Sequence, residues 1–254
     1  MTVLPRPADS STGITVLPAD LGPGVRAGFT TRMGGVSTGA WEGLDLGLHV
    51  GDDAEAVRRN RERLAAWAGA PVRFGRQVHG TVARVVGAGD ADLDASEADA
   101  LVTAERGVPV GVLVADCVPV LLAEAEAGVV GAVHAGRRGL LAGILSRALD
   151  AMASLGAAPA RVRAAVGPAA GACCYEVPAE LAEEAASRRP ELRGTTTWGT
   201  PSLDLRAGAE AELRHGGVAH VALVGGCTIE DGDLYSYRRG QVTGRFAGVV
   251  TLLP

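Results

Sequence analysis

Val108-Pro109-Val110-Gly111-Val112-Leu113-Val114-Ala115-Asp116-Cys117-Val118-Pro119-Val120-Leu121-Leu122-Ala123 is a pair of apolar, β-branched runs interrupted by Asp116-Cys117. Uninterrupted apolar runs of this length predict strands buried on both faces, because neither face alternates with polar residues. A third run, Val129–His134, predicts another strand. Strands thus follow one another through the middle of the chain, which argues against regular βαβ alternation.

Downstream, Gly136–Gly139 reads as a turn and Leu140–Leu155 repeats apolar residues at helical spacing. Arg161–Val166 predicts a strand and Gly167–Cys174 a loop. Helices are expected after Pro178 and Asp204, a strand over Val218–Val224, and a hairpin with a final apolar strand over Leu234–Leu253. Upstream, Val72–Val78 and Thr81–Val86 predict strands about a His79-Gly80 turn, and Asp90–Ala98 an acidic surface loop. Asp52 or Asp53 caps a helix reaching about Ala68, with Glu55 in its first turn. Met33–Leu48 is glycine-rich and reads as a functional loop, and Val25–Thr30 as a short strand. Residues 1–24 carry four prolines and are expected to be loosely ordered. The fold class is α+β: a single layered domain over residues 25–254, with mixed β-sheets flanked by helices.

The 254 residues suffice for a large core. With three each of Phe, Tyr and Trp, that core must rest on Ala, Val and Leu. A net charge of −5 argues against a broad nucleic-acid surface but leaves room for a local basic pocket. Met1–Gly13 lacks the pattern of a signal peptide, and no apolar run is long enough to span a membrane. Cys117, Cys173, Cys174 and Cys227 do not form a disulfide framework pattern, so a reducing cytoplasm is expected.

His79, Cys117 and His134 each fall where a predicted strand meets a loop. Two imidazoles and a thiolate suit zinc and leave a fourth position for water or substrate. Their spacings are far from zinc-finger signatures, and each residue alone has a structural reading as well. His₂Cys is also the blue-copper set. However, Met1, Met33 and Met152 are remote in sequence, and five histidines are too few for a trinuclear cluster beside a mononuclear site. Arg58, Arg59, Arg61 and Arg63 read mainly as a solvated helix face. Arg137-Arg138 and Arg238-Arg239 are placed to bind phosphate. His49 sits in a tightly turned polar segment, whereas His215 and His220 have no flanking chemistry. The Gly167–Val177 loop has neither a Walker lysine nor a dinucleotide fingerprint.

An ordered set of short motifs resembles the laccase-domain family. It comprises Gly28–Ser37, Leu46–Asp53 with Asn60-Arg61, Gln77-Val78-His79-Gly80, Ala115–Pro119, Val133–Gly136, Tyr175-Glu176-Val177 and Ser236–Arg239. Bacterial members of that family are described as peptidoglycan editing factors and purine nucleoside phosphorylases. The resemblance implies a zinc site at His79, Cys117 and His134. It implies phosphorolysis of adenosine, inosine, guanosine and methylthioadenosine, with phosphate as co-substrate, and adenosine deamination. Resemblance and position together make Arg61 and Arg239 phosphate candidates, while position adds Arg137 beside His134 for substrate or phosphate, Asp116 behind a zinc ligand, and His49 and Cys117 among the catalytic groups. Three positions depart from the family pattern: Arg137 for tryptophan, Asp45 for asparagine, and Gly240-Gln241 for Asp-Gly. The chain also lacks the H-x-E and P-C-x-x-C signature of zinc deaminases. Rival readings are a peptidoglycan-precursor hydrolase built on Cys117 and a histidine, a copper-dependent polyphenol oxidase, and a non-catalytic metal-binding module.

Overall fold

Strands buried on both faces need cover on both sides, and the chain provides it by stacking two sheets. The computed structural model describes residues 12–90 and 93–254. Its strands, in chain order, are β1 (Val16–Pro18), β2 (Val25–Thr30), β3 (Ala83–Val85), β4 (Ala100–Thr103), β5 (Val110–Val114), β6 (Val118–Glu124), β7 (Val129–Ala135), β8 (Arg163–Val166), β9 (Arg193–Thr195), β10 (Pro201–Leu203), β11 (His220–Leu223) and β12 (Phe246–Leu252). The helices are α1 (Ala54–Ala68), α2 (Arg137–Leu141), α3 (Ile144–Ser154), α4 (Ala179–Arg188) and α5 (Leu205–His215).

One sheet runs β1-β2-β12-β5 and is antiparallel throughout. The other runs β11-β8-β6-β7-β4-β3, with parallel pairs at its two edges. Alternation along β6 explains the layering. Leu121 and Ala123 pack with Val110, Val112 and Val250 in a core between the sheets. Val118, Val120 and Leu122 pack with Leu145, Leu149 and Met152 of α3 and with Ala209 and Leu213 of α5. A further core joins Leu64 and Ala68 of α1 to Leu113, Ala247 and Val249 on the outer face of the first sheet. The architecture is α+β with mixed sheets flanked by helices, as the sequence predicts.

Helix α1 begins at Asp53, whose carboxylate accepts a hydrogen bond from Glu55 N at 2.9 Å, and ends at Gly69 with φ 92°. Elsewhere the local readings need correction. Val72–Val78 is not a strand: Arg73 and Arg76 make only isolated bridges. The Gln77 side chain stands in for a strand neighbour, donating to Leu113 O and accepting from Leu113 N, both at 2.7 Å. Gly136–Gly139 is the start of α2, and the expected Leu140–Leu155 helix is split at Gly143, which has φ 89°. The C-terminal hairpin is absent because β12 pairs with the distant β2 and β5. Short β4 and the β9–β10 pair carry too little pattern to be anticipated. In the acidic loop, residues 91–92 lie outside the described residues, and Leu93–Ala95 forms a 3₁₀ turn. Residues 1–11 also lie outside them, but residues 12–24 carry β1 and bury Ile14 and Leu21 in the packed structure.

Candidate metal centre

The chain crosses from one sheet to the other through Ala115-Asp116-Cys117. This short link forces Asp116 into the left-handed region, with φ 91°. His79 is at φ 60°. These are the two non-glycine residues with positive φ among the described residues, and backbone strain of this kind gathers at functional sites. Cys117 enters β6 while His134 lies near the end of neighbouring β7, paired in register with Pro119.

His79, Cys117 and His134 offer ligand atoms that all lie within 4.8 Å of one another. Cys117 Sγ is 3.5 Å from His79 Nε2. The two imidazoles meet edge to face, with centroids 4.8 Å apart. The backbone leaves room for this convergence at Gly136, where a Cβ would lie 2.5 Å from His79 Cδ2 and 3.2 Å from Cys117 Sγ.

Asp99 organises the candidate ligands, a role the sequence reading assigned to Asp116. Its Oδ1 lies 2.8 Å from His134 Nδ1 and accepts from His79 N at 2.9 Å. Its Oδ2 accepts from Gly80 N at 2.8 Å and Val78 N at 3.3 Å. The His134 backbone N–H also donates to Asp99 O at 2.7 Å. Burial works to raise the Asp99 pKa, but the hydrogen bond from His134 and the amides of Gly80 and Val78 hold it below the ordinary range. With Nδ1 committed to Asp99, His134 has Nε2 left for an ion.

Burial also opposes ionisation of Cys117, yet His134 and His79 bring the thiol down to about 6. Burial lowers and the Cys117 and Asp99 charges raise His134, with a net rise to about 9. A thiolate beside imidazoles, backed by a carboxylate, fits a divalent metal of the zinc class, with three protein ligands and one open position.

Above the ligands is a cavity of about 670 Å³. His49, Arg61, Asp116, Tyr175, Arg238 and Arg245 are among the residues lining it. His49 lies on its exposed rim. Its pKa is lowered by partial desolvation and then by the charges of Arg245 and Arg61, so three basic groups converge there. Arg61 is held by Leu46 O at 3.0 Å and by Asp94 at 2.8 Å. Arg238 lies over the Tyr175 ring, 4.5 Å from its centroid.

The other expected site residues are placed differently. Arg239 does not line the cavity; its guanidinium is spent on the carbonyls of Thr228, Ile229, Asp231 and Leu234. Arg137, at the start of α2, also lies outside the lining. Asp116 does line it, but its carboxylate accepts from Thr228 Oγ1 at 2.6 Å and Arg238 N at 2.7 Å. It therefore anchors the Arg238 loop and does not support a histidine. Sequence reasoning missed Asp99, Tyr237 and Arg245. Asp99 reads as the residue just after an acidic loop, Tyr237 falls inside the Ser236–Arg239 motif with no role assigned to it, and Arg245 carries no local signature.

A family model described as multi-copper polyphenol oxidoreductase laccase matches residues 26–253. A purine nucleoside phosphorylase of Streptomyces griseus is 50% identical over 228 residues, covering 88% of this chain and 93% of that one. The purine nucleoside phosphorylase of Corynebacterium glutamicum is 47% identical over 232 residues, covering 90% and 94%. Among solved structures, a Neisseria meningitidis protein assigned to DUF152 superposes with a TM-score of 0.85 at 36% identity, covering 95% of this chain and 100% of that one. YlmD of Geobacillus stearothermophilus gives a TM-score of 0.83 at 33% identity, covering 91% and 93%.

Proposed function

The chain belongs to the multi-copper polyphenol oxidoreductase laccase family, and from that premise we propose that it is a zinc-dependent purine nucleoside phosphorylase. The observation that carries the reading is the juxtaposition of the His79, Cys117 and His134 donor set with a cavity walled by Arg61, Arg238 and Arg245. Its volume of about 670 Å³ is in the range of small-molecule sites. The names of the relatives supply the reaction class.

In phosphorolysis, phosphate attacks C1′ of the ribose, the glycosidic bond breaks, and negative charge gathers on the departing purine. His49, Arg61 and Arg245 form the corner suited to phosphate, where the two guanidinium charges and the His49 imidazole as a hydrogen-bonding group would hold the nucleophile against the sugar. Tyr175, backed by Arg238, offers an aromatic face for the base. A zinc ion held by His79, Cys117 and His134 would supply a Lewis acid for developing negative charge. Asp99 keeps His134 in the tautomer that presents Nε2 to that ion. Adenosine, inosine, guanosine and methylthioadenosine form the proposed substrate set, and adenosine deamination is a separate activity to assay.

Zinc is favoured over a multicopper centre because the sequence has five histidines, and His215 and His220 lie in α5 and β11, outside the cavity lining. A second reading, a cysteine hydrolase acting on a peptidoglycan precursor, draws on the lowered Cys117 thiol beside His134.

Adenosine assays with and without phosphate separate these chemistries. Phosphate-dependent release of adenine and ribose 1-phosphate is expected, whereas inosine formed without phosphate reports deamination. Cys117→Ala is expected to lose the metal held at this centre, and turnover with it, while retaining its circular dichroism spectrum. Full metal content and activity in that variant would sink the proposal, and turnover surviving complete metal removal would support the hydrolase.

A further inference from the structure

A second group of donors lies in the loops around Cys173 and Cys227. Cys173, Cys174, Cys227 and Glu230 bring four ligand atoms within 4.8 Å of one another. Cys173 Sγ lies 3.1 Å from Cys174 Sγ and 3.4 Å from Glu230 Oε2. Gly171 N donates to Cys227 Sγ at 3.3 Å, a bond that favours thiolate. All three cysteines are free and part-buried.

The backbone builds this convergence. Ala169 bridges to Cys227, with Thr228 N donating to Ala169 O at 3.0 Å. The next turn is closed by Cys174 N and Tyr175 N, both donating to Gly171 O. A Cβ at Gly171 would lie 3.2 Å from Cys173 Sγ and 3.2 Å from Cys227 Cβ, so glycine permits the sulfurs to gather.

We propose that Cys173, Cys174, Cys227 and Glu230 form a second metal site, which takes one thiophilic, tetrahedral divalent ion of the zinc class. Three thiolates and a carboxylate complete four-coordination, the mark of a closed structural site, and select against hard ions. Zinc–sulfur bonds of about 2.3 Å place sulfurs about 3.8 Å apart in a tetrahedron, so the Cys173–Cys174 pair opens by less than about 1 Å. Binding displaces thiol protons to solvent without redox change. The ion ties the Gly171–Cys174 turn to residues 227–230. That connection matters to the cavity, because Tyr175 follows Cys174 directly and Thr228 holds Asp116, which in turn holds Arg238.

The test uses metal-free protein prepared anaerobically with a phosphine reductant and titrated with Co²⁺ alone. Cys117→Ala removes a ligand of the first centre. This variant is expected to take one equivalent of Co²⁺, with an intense thiolate-to-cobalt charge-transfer band and tetrahedral d–d bands. Adding Cys227→Ser is expected to abolish that equivalent while circular dichroism is unchanged. Glu230→Gln, a change at an exposed position, should weaken Co²⁺ binding at least about tenfold and guards against misfolding of the cysteine variants. Zinc should raise the Tm of Cys117→Ala but not of Cys117→Ala/Cys227→Ser. The proposal is overturned if Cys117→Ala binds no Co²⁺, if Cys227→Ser leaves the equivalent in place, or if these cysteines are recovered as a disulfide in protein purified anaerobically without reductant.

Discussion

Asp99 shows how much a single carboxylate can settle. It accepts from the amides of Val78, His79 and Gly80 and contacts His134 Nδ1, thereby fixing one ligand's backbone and the other's imidazole. Asp99→Asn cannot reproduce this, because its amide nitrogen has no lone pair to accept with. It should weaken metal binding about 10–100-fold, measured by competition with a chromogenic chelator. A variant with parent affinity would remove Asp99 from the account. The adjacent arginines make a second contrast. Arg239→Ala should lower stability by about 2–4 kcal/mol in denaturant unfolding, since it strands several carbonyls. Arg238→Ala should leave the midpoint nearly unchanged and raise the KM for nucleoside. The three candidate ligands were legible because His134 closes an apolar run, Cys117 interrupts a pair of them, and His79 lies in Gln77-Val78-His79-Gly80. Asp99 was not, since its partners come from residues 78–80 and 134, and nothing local announces them.

Among the elements, α1 was readable from a cap at Asp52 or Asp53 to about Ala68, but its main task was not. Asn60, buried midway along it, accepts from Val36 N at 2.9 Å and donates to Ser37 Oγ at 2.9 Å and Asp45 O at 2.9 Å. It thus locks the glycine-rich loop 33–48 against the helix. That loop also depends on Gly35, where any Cβ would collide with the Gly43 carbonyl. Asn60→Ala should cost about 2–4 kcal/mol by leaving buried backbone groups unpaired. It should also disturb His49 at the cavity rim, read as a raised KM for phosphate. Strands with apolar runs, such as β5, β6 and β7, were visible in advance. The segment Val72–Val78 was misleading because Gln77 satisfies Leu113 with its side chain, and hydropathy cannot distinguish that from a backbone ladder.

At the scale of the whole molecule, stability should carry the imprint of Asp45. This residue is fully buried; Oδ1 accepts from Gly47 N at 3.0 Å and Arg245 N at 2.7 Å, while Oδ2 has no hydrogen-bond partner. Burial raises its pKa from 3.8 to about 6. The folded state therefore holds the proton more tightly than the unfolded chain does. That contribution is complete below the unfolded pKa and is lost as pH rises through about 6. Asp45→Asn, the residue usual in the family, should gain about 1–3 kcal/mol relative to the parent at pH 7.5 and much less at pH 4. Urea unfolding at the two pH values checks this, and an equal effect at both would refute it. The layered α+β plan followed from the mixed order of strands and helices. The pairing of β12 with β2 and β5 did not, because it joins segments more than 130 residues apart in sequence.

The cavity draws its candidate metal ligands from one stretch, residues 79–134, while His49, Arg61, Tyr175, Tyr237, Arg238 and Arg245 come from elsewhere in the chain. Selection can therefore retune which molecules are accepted by drifting through those outlying walls, without revisiting His79, Cys117 or His134. Lineages that share the three ligands should diverge first in appetite and last in metal.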